Sequence, residues 1–219
     1  VDGRGGRRLW NIQRVGEPLV LQQAGLLQAV GDTLVVGIGG RMIGLNPNTG
    51  AVRWEAALAS PRGTNDVERL VDLVAGTSRQ GNVVCARAYQ ASVGCVDTTR
   101  GTVLWTRPSN SATGIGGDGQ AIYGTEGDGK LVAWRRADGE RLWTNESLRF
   151  RGVGTPLLAG RSLIVGDANG LVHVLSREDG SSLNRLSTDG SAIRGAPVLV
   201  GDVLVVATQA GGVHAFRPD

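Results

Sequence analysis

The sequence contains few aromatic residues, one lysine and no long apolar run. Aromatic side chains make up 4% of its 219 residues, and the single lysine accompanies 22 arginines. A membrane-spanning helix needs about 18 consecutive apolar residues, and no part of this chain supplies them. The start, VDGRGGRRLW, lacks the basic-then-apolar layout of a secretory signal. We therefore expect no membrane-spanning helix, and we expect any targeting segment to have been removed or to lie outside this sequence.

The positive charge does not form a pattern typical of nucleic-acid binding. The formal net charge is +3 and the isoelectric point is about 9.4. The arginines are scattered along the chain, and no basic run reaches five residues. Nucleic-acid-binding proteins usually cluster their basic residues on one face, whereas scattered arginines indicate a solvated surface. We predict that the protein does not bind nucleic acid.

The two cysteines, Cys85 and Cys95, flank an expected hairpin turn at Gln90-Ala91. A two-residue turn would place the two sulfurs on opposite faces of the sheet, where no disulfide can close, and this favours two buried thiols. One additional loop residue would bring the cysteines opposite each other and allow a disulfide. No further ligands nearby complete a metal site.

Glycine and short runs of valine and leucine are abundant instead. Gly accounts for 35 residues, and 41% of the chain is hydrophobic. Apolar runs of about five residues bounded by Gly, Asp and Asn indicate β-strands. Pairs of such runs enclose tight hairpin turns, which we place at Gly39-Gly40, Gln90-Ala91, Asp128-Gly129, Asn169-Gly170 and Gly211-Gly212.

A glycine and, four residues later, a tryptophan follow these turns at a constant spacing. The pairs are Gly50 and Trp54, Gly101 and Trp105, and Gly139 and Trp143, with Asn184 after Gly180 in the fourth copy and Gly6 and Trp10 at the start. A period of about 40 residues built from short strands is typical of propeller blades. We predict an all-β β-propeller of four-stranded antiparallel blades, in which each tryptophan packs between neighbouring blades.

The repeats divide the chain into five segments, at about residues 15–58, 59–109, 110–147, 148–188 and 189–219, with residues 1–14 as an orphan outer strand. In the second segment, strands are predicted at about 69–75, 81–89, 92–97 and 102–107. The last segment stops before its Gly-Trp strand. Two interpretations follow: the chain is the C-terminal part of a longer propeller, or residues 1–14 complete the last blade and close a ring of five.

Residue types that carry catalysis do not form a recognisable group. His173 and His214 stand three and two residues after their turns, so strand alternation predicts opposite faces and no shared metal or acid–base role. EGDGK (126–130) fits a hairpin turn better than a calcium loop, and GIGGDG (114–119) lacks the following helix that a phosphate-binding loop needs. No Gly-x-Ser-x-Gly nucleophile elbow occurs. We predict a non-enzymatic protein with no catalytic residue, metal site or cofactor.

Three segments, LNPNTGAVRW, VDTTRGTVLW and WRRADGERLW, resemble the PQQ-like repeat, which is named after quinone-dependent dehydrogenases. Residues 65–107 and 154–180 most specifically resemble the BamB (YfgL) family of outer-membrane assembly lipoproteins, and the whole chain resembles the C-terminal five-eighths of its members. The resemblance implies an eight-bladed propeller at the periplasmic face of the outer membrane. It also implies a lipid on an N-terminal cysteine that these residues do not include.

The same resemblance implies a scaffold subunit of the β-barrel assembly machinery, which binds the periplasmic (POTRA) domains of BamA and assists the insertion of nascent outer-membrane β-barrel proteins. Leu19, Leu21 and Gln22 match a partner-binding Leu-x-Leu-Arg segment, with Gln22 in place of the arginine. Asp72 matches the first residue of an Asp-x-Asp pair, and Val74 replaces the second. Both departures remove charge. On the residues alone, the leucines would instead face a blade core and Asp72 would be an ordinary loop carboxylate.

The sequence also allows two functions other than that of a scaffold. The first is a fragment of a PQQ-dependent dehydrogenase, in which the resemblance implies a calcium ion and a disulfide between adjacent cysteines. The ten-residue spacing of Cys85 and Cys95 does not match that disulfide. The second is a propeller that binds unfolded chains by strand addition at its exposed edges.

Overall fold

The computed structural model describes residues 5–13, 19–21, 24–62, 64–67 and 69–217. Their strands form five antiparallel sheets, here called blades 1 to 5, and within each blade every strand pairs with the next one in sequence. Blade 1 contains β1 (Leu27–Val30), β2 (Thr33–Ile38), β3 (Arg41–Leu45) and β4 (Val52–Ala57), and blade 2 contains β5 (Leu73–Gln80), β6 (Val83–Ala88), β7 (Ser92–Asp97) and β8 (Thr102–Pro108). Blade 3 contains β9 (Ile115–Gly117), β10 (Ala121–Thr125), β11 (Leu131–Arg135) and β12 (Arg141–Asn145). Blade 4 contains β13 (Leu157–Ala159), β14 (Ser162–Gly166), β15 (Leu171–Ser176) and β16 (Ser182–Ser187), and blade 5 contains β17 (Ile193–Val200), β18 (Val203–Thr208) and β19 (Val213–Phe216).

This architecture confirms the predicted all-β fold. Each blade lies within one of the five segments drawn from the repeat. The start of blade 2 was predicted wrongly, because β5 covers Leu73–Gln80 and not residues 69–75. Residues 69–72 instead lie in the connection between blades, where the Arg69 N–H donates to the Asn65 carbonyl. No helix in the described part of the chain is long and apolar enough to cross a membrane.

The outer strand pair carries a β-bulge at the same place in the first four blades. The register shifts immediately after the residue that faces the repeated tryptophan position. In blades 2 to 4 the bulged residues are Leu104, Leu142 and Leu183, and all three are exposed. A bulge places an extra residue on one strand, so these leucines point outward without belonging to a core.

The apolar core lies between the blades. Separate clusters fill the interfaces between blades 1 and 2, 2 and 3, 3 and 4, and 4 and 5. Trp105 and Trp143 pack against Gly139 and Gly180 of the next blade, and both glycines have a positive φ. The indole N–H of Trp105 donates to the carbonyl of Arg136 at 2.7 Å. This confirms the predicted position of these tryptophans between blades, and it explains why the repeat pairs them with glycine, since a Cβ at that point would overlap the ring.

Cys85 and Cys95 form a disulfide, so the expectation of two buried thiols was wrong. Ala88 pairs with Ser92, which makes the loop three residues long, and Cys85 therefore lies directly opposite Cys95. The additional loop residue is accommodated by Gln90, which adopts a positive φ of 47°. The chain therefore forms the longer loop, which the sequence allowed as an alternative to the two-residue turn.

Residues 5–13 do not complete blade 5 in the part of the chain that the structure describes. Within the described chain, blade 5 has three strands, and β19 has no partner on its outer side. Residues 5–13, which belong to the predicted outer strand 1–14, form no strand. Trp10 nevertheless occupies the position of the repeat, since its ring lies against Gly50 of blade 1 and its N–H donates to the Pro47 carbonyl at 2.7 Å.

The role of the inter-blade tryptophans can be tested by comparing two neighbouring residues of β8. Trp105 is buried between blades, whereas Leu104 is 45% exposed. We expect Trp105→Ala to lower the free energy of unfolding by about 3–5 kcal/mol and Leu104→Ala to change it by less than about 0.5 kcal/mol. Urea unfolding followed by circular dichroism measures both values, and equal losses in the two variants would contradict the packing described above.

The disulfide gives a second prediction. Unfolded, unreduced protein should show no free thiol with a thiol-reactive dye, and two after reduction. Replacing both cysteines by alanine should lower the free energy of unfolding by about 2–3 kcal/mol, because the link no longer restricts the unfolded chain. Two free thiols before reduction would contradict the disulfide and would support two buried thiols with a two-residue turn.

Candidate partner-docking site

Leu21 and Asp72 lie in contact although 51 residues separate them in the chain. The backbone N–H of Leu21 donates to a carboxylate oxygen of Asp72 at 2.7 Å. Two segments that the sequence linked only through the family resemblance therefore meet at one point of the surface. Gln22, the third residue of the first segment, lies outside the described residues.

Asp72 is held in place by the hairpins of two blades. Its carbonyl accepts a hydrogen bond from the N–H of Tyr89 at 2.9 Å, and the N–H of the following Leu73 donates to the Gly39 carbonyl at 3.0 Å. On the other side of the contact, the Ala75 N–H donates to Ala24. The backbone at Asp72 is thus fixed by contacts to both blades, and its carboxylate accepts the Leu21 N–H.

Apolar side chains surround this contact and remain open to solvent. Leu19 is 39% exposed, Val20 65% and Ile38 39%. Val20, Leu21, Ile38 and Asp72 line a shallow depression of about 200 Å³, and Leu19 directly precedes Val20 in the chain. We call Leu19, Val20, Leu21, Ile38 and Asp72 the docking patch. Its composition, apolar anchors beside one carboxylate, is that of a small protein-binding surface.

Two members of the patch were missed from the sequence. Val20 is the variable position between the two leucines, and Ile38 is the last residue of β2. Because β2 is apolar on both faces, its alternation gave no signal that Ile38 would be exposed. Val74, which replaces an aspartate of the family pattern, is buried at 1% exposure in the strand after Asp72. Val74 therefore belongs to the apolar core and lies outside the docking patch.

A buried arginine supports the loops of the neighbouring blades. The guanidinium of Arg87 is fully buried, donates to the carbonyls of Thr113 and Thr125, and lies 3.6 Å from a carboxylate oxygen of Glu126. Burial lowers the pKa of Arg87 to about 10, and the charge of Glu126 opposes this decrease. Glu126 also accepts the N–H of Asn110. These contacts tie three loop segments together and serve a structural role.

The two histidines do not point to opposite faces, and that prediction was wrong. His173 and His214 occupy equivalent positions of β15 and β19, each one residue beyond the partner of the last paired residue that precedes its turn. The last turn lies one residue earlier than its sequence suggested. Each histidine contacts a different carboxylate, Asp167 at 2.9 Å and Asp189 at 3.7 Å. Their shared position therefore does not bring them to one site.

Asp167 is the centre of a polar cluster in blade 4. Its buried carboxylate accepts hydrogen bonds from His173, from Arg151 and from two backbone N–H groups. Burial alone would raise the pKa of Asp167, but these hydrogen bonds together hold it below its usual value. The cluster joins the Arg151 loop to the β14–β15 hairpin. Among the residues that the structure describes, no group of three or more His, Cys, Asp or Glu side chains could hold a metal ion.

The contact between Leu21 and Asp72 leads to a prediction for hydrogen exchange. Asp72→Ala removes the acceptor of the Leu21 N–H, so this amide should exchange about tenfold faster, which corresponds to the loss of one hydrogen bond of about 1–1.5 kcal/mol. Asp72→Asn keeps an acceptor oxygen and should retain most of the protection. Exchange followed by NMR at the Leu21 amide measures the effect. Unchanged protection in Asp72→Ala would show that the carboxylate does not anchor the segment.

Comparison with known proteins reveals relatives along the whole chain. The family model described as outer membrane protein assembly factor BamB matches residues 1–145. The outer membrane protein assembly factor BamB of Burkholderia pseudomallei is 39% identical over 97% of this chain and 56% of its own length, and that of Bordetella pertussis is 34% identical over 99% and 56%. The chain therefore spans little more than half the length of these curated relatives.

Solved structures show the same fold. The crystal structure of BamB from Moraxella catarrhalis superposes with a TM-score of 0.87 at 25% identity, over 97% of this chain and 64% of that one. The computationally designed Ika8 protein matches with a TM-score of 0.68 at 16% identity over 88% of this chain and 57% of that one, which is evidence for the fold alone. The predicted β-propeller and the resemblance are thereby confirmed. On the sequence match and the blade architecture together, this chain belongs to the BamB family of outer membrane protein assembly factors.

Proposed function

We propose that the protein acts as a non-enzymatic scaffold subunit of the β-barrel assembly machinery and binds the periplasmic POTRA domains of BamA through the docking patch. The observation that carries this proposal is the contact between Leu21 and Asp72, which joins the two segments matched to the family's partner-binding loops. Through this contact the protein would assist the insertion of nascent outer-membrane β-barrel proteins.

The patch has the physical properties that such an interface requires. Val20, Leu19 and Ile38 offer exposed apolar surface, and burial of one such side chain contributes about 1.5–3 kcal/mol. The Asp72 carboxylate accepts the Leu21 N–H and its carbonyl accepts the Tyr89 N–H, so little side-chain entropy is lost when a partner donor approaches. Because Gln22 and Val74 replace charged residues of the family pattern, we expect apolar contact to provide most of the affinity.

The disulfide supports a location outside the cytosol. Cys85 and Cys95 are linked, and stable structural disulfides form in oxidising compartments such as the bacterial periplasm. We place the protein at the periplasmic face of the outer membrane, and in the full-length protein we expect an N-terminal lipid to provide the only membrane attachment. Binding is then expected between two periplasmic surfaces.

The proposal can be tested by calorimetric titration of the protein with the POTRA domains of BamA. Leu19→Ala combined with Val20→Ala should weaken binding by about 1–3 kcal/mol, the magnitude of interface hot spots. Leu183→Ala removes a leucine that is more exposed than Leu19, at 58% against 39%, from the outer strand of blade 4 and should leave binding unchanged. This control separates the patch from general surface hydrophobicity.

Asp72 variants separate charge from position. Asp72→Asn should retain the Leu21 contact and lose only the charge, so a loss of binding in this variant would assign a partner cation to Asp72. Asp72→Ala should weaken binding further, because segment 19–21 loses its anchor. If all patch variants bind BamA like the wild type, the patch is not the docking site. If they lose BamA but still bind unfolded barrel strands, strand addition is a separate activity.

A further inference from the structure

Phe150 is an exposed aromatic residue in a backbone conformation that is unfavourable for it. Its side chain is 80% exposed, more than any other large apolar side chain that the structure describes. Its φ is 60°, and a bulky residue rarely adopts this left-handed region. Gln90 is the other described residue that has a positive φ without being glycine, and there the conformation accommodates an additional loop residue. Phe150 therefore costs folding energy without adding to the core.

The loop that carries Phe150 is held by the blades on both sides. The Phe150 N–H donates to the carbonyl of Asp128, in the β10–β11 hairpin turn of blade 3, at 2.8 Å. In blade 4, the Ala168 N–H donates to the Arg151 carbonyl at 3.0 Å, and the Arg151 guanidinium lies 2.7 Å from the Asp167 carboxylate. These contacts fix the backbone, so the ring is presented to solvent in a defined place.

The ring of Phe150 rests against a charged neighbour. The guanidinium carbon of Arg149 lies 4.9 Å from the ring centre. The same guanidinium lies 3.5 Å from a carboxylate oxygen of Asp128 and 3.5 Å from one of Glu146. Because two carboxylates hold Arg149, one face of the ring is supported and the rest of its surface is open to a partner. Aromatic side chains with few rotatable bonds are common anchors of protein interfaces.

Phe150 lies on the same face of the propeller as the docking patch. In a blade whose antiparallel strands follow one another in sequence, the hairpin turn between the second and third strands lies at the same end as the connection to the next blade. Tyr89, in one hairpin turn, donates its N–H to the Asp72 carbonyl in the connection between blades 1 and 2. Phe150, in the connection between blades 3 and 4, contacts a hairpin turn in the same way. One partner can therefore reach both the patch and the ring.

The docking patch alone is smaller than a specific protein interface. It comprises five residues around a depression of about 200 Å³, whereas a stable interface takes about 20–30 residues from each partner. A partner that rests on the patch must therefore contact more of the same face. Phe150 is the most exposed large apolar group there.

The charges around Phe150 favour a protein surface over an anionic membrane. Lys130 lies 3.2 Å from Asp128 and 3.6 Å from Glu146. Arg149 is paired with the same two carboxylates. An excess of positive charge beside the apolar group strengthens attachment to anionic lipids, and here the positive and negative charges balance.

We infer that Phe150 is a second anchor for the partner that the docking patch binds, with its ring in an apolar pocket of the POTRA domains. This inference rests on the proposed function and adds a contact at the connection between blades 3 and 4. Because the ring is presented in a fixed place, its binding orders little further structure. Residues that are unfavourable for folding are often retained where they serve binding.

The test is calorimetric titration of the protein with the POTRA domains of BamA. Phe150→Asn removes the ring but tolerates the left-handed conformation, so binding should weaken about tenfold while the midpoint of urea unfolding stays the same or rises. Phe150→Tyr keeps the ring and should bind like the wild type. Leu183→Asn is the matched control, since it makes a similar change at an exposed leucine of β16, and it should also bind like the wild type.

The outcomes separate this inference from the proposed function. If Leu19→Ala combined with Val20→Ala weakens binding and Phe150→Asn does not, the second anchor is wrong and the docking patch stands. If Phe150→Asn alone weakens binding, the anchor is supported and the patch is not the docking site. Absence of POTRA binding by the wild type would overturn both.

Three further results would overturn the anchor. A lower urea midpoint for Phe150→Asn would show that the ring supports the fold. Binding of the wild type, but not of Phe150→Asn, to phosphatidylglycerol vesicles with unchanged POTRA affinity would assign the ring to a membrane. Self-association that sedimentation detects in the wild type and not in Phe150→Asn, again with unchanged POTRA affinity, would assign it to a second copy of the chain.

Discussion

Each blade of this protein is a small antiparallel sheet that has to bury both of its faces, and it can do so only against its neighbours. The apolar clusters accordingly lie between consecutive blades. Where a tryptophan of one blade rests on a glycine of the next, the ring excludes water and its N–H satisfies a carbonyl that no strand uses. Stability is therefore supplied interface by interface, as in other repeat proteins. The loops at the blade ends contribute little to this core and are free to carry binding residues.

The proposed docking patch shows how that arrangement could position residues for binding. Segment 19–21 precedes blade 1, Ile38 ends a strand of blade 1, and Asp72 precedes blade 2. Their relative positions depend on the packing between blades 1 and 2, which is among the best buried parts of the chain. The Asp72 carboxylate then connects this interface to segment 19–21. The proposed binding surface is therefore preorganised, so that association with a partner would not have to order it first.

Departures from the repeat occur at places with particular local chemistry. Gln90 adds a residue to one hairpin and so aligns Cys85 with Cys95. Gly44 stands where blades 2 to 4 carry a residue with a Cβ and so leaves room for the Trp54 ring to lie directly above it. In both cases a single residue changes the register or the space available to its neighbours, and the remainder of the blade is unaffected. Local violations of a consistent pattern are often found at functional or strained sites.

The sequence by itself determined the fold class, the strand-rich repeats and the pairing of glycine with tryptophan, because turn chemistry and strand alternation act over a few residues. The site residues Leu19, Leu21 and Asp72 came from the family resemblance, and nothing in their local pattern would have joined them. Only the tertiary structure decided that Leu21 contacts Asp72, that Ile38 is exposed, that the cysteines are linked and that the histidines share a position without sharing a site. Those features depend on the exact length of each loop and on contacts between distant residues. A one-residue difference in a turn reverses every side chain of the following strand, and no local pattern specifies it.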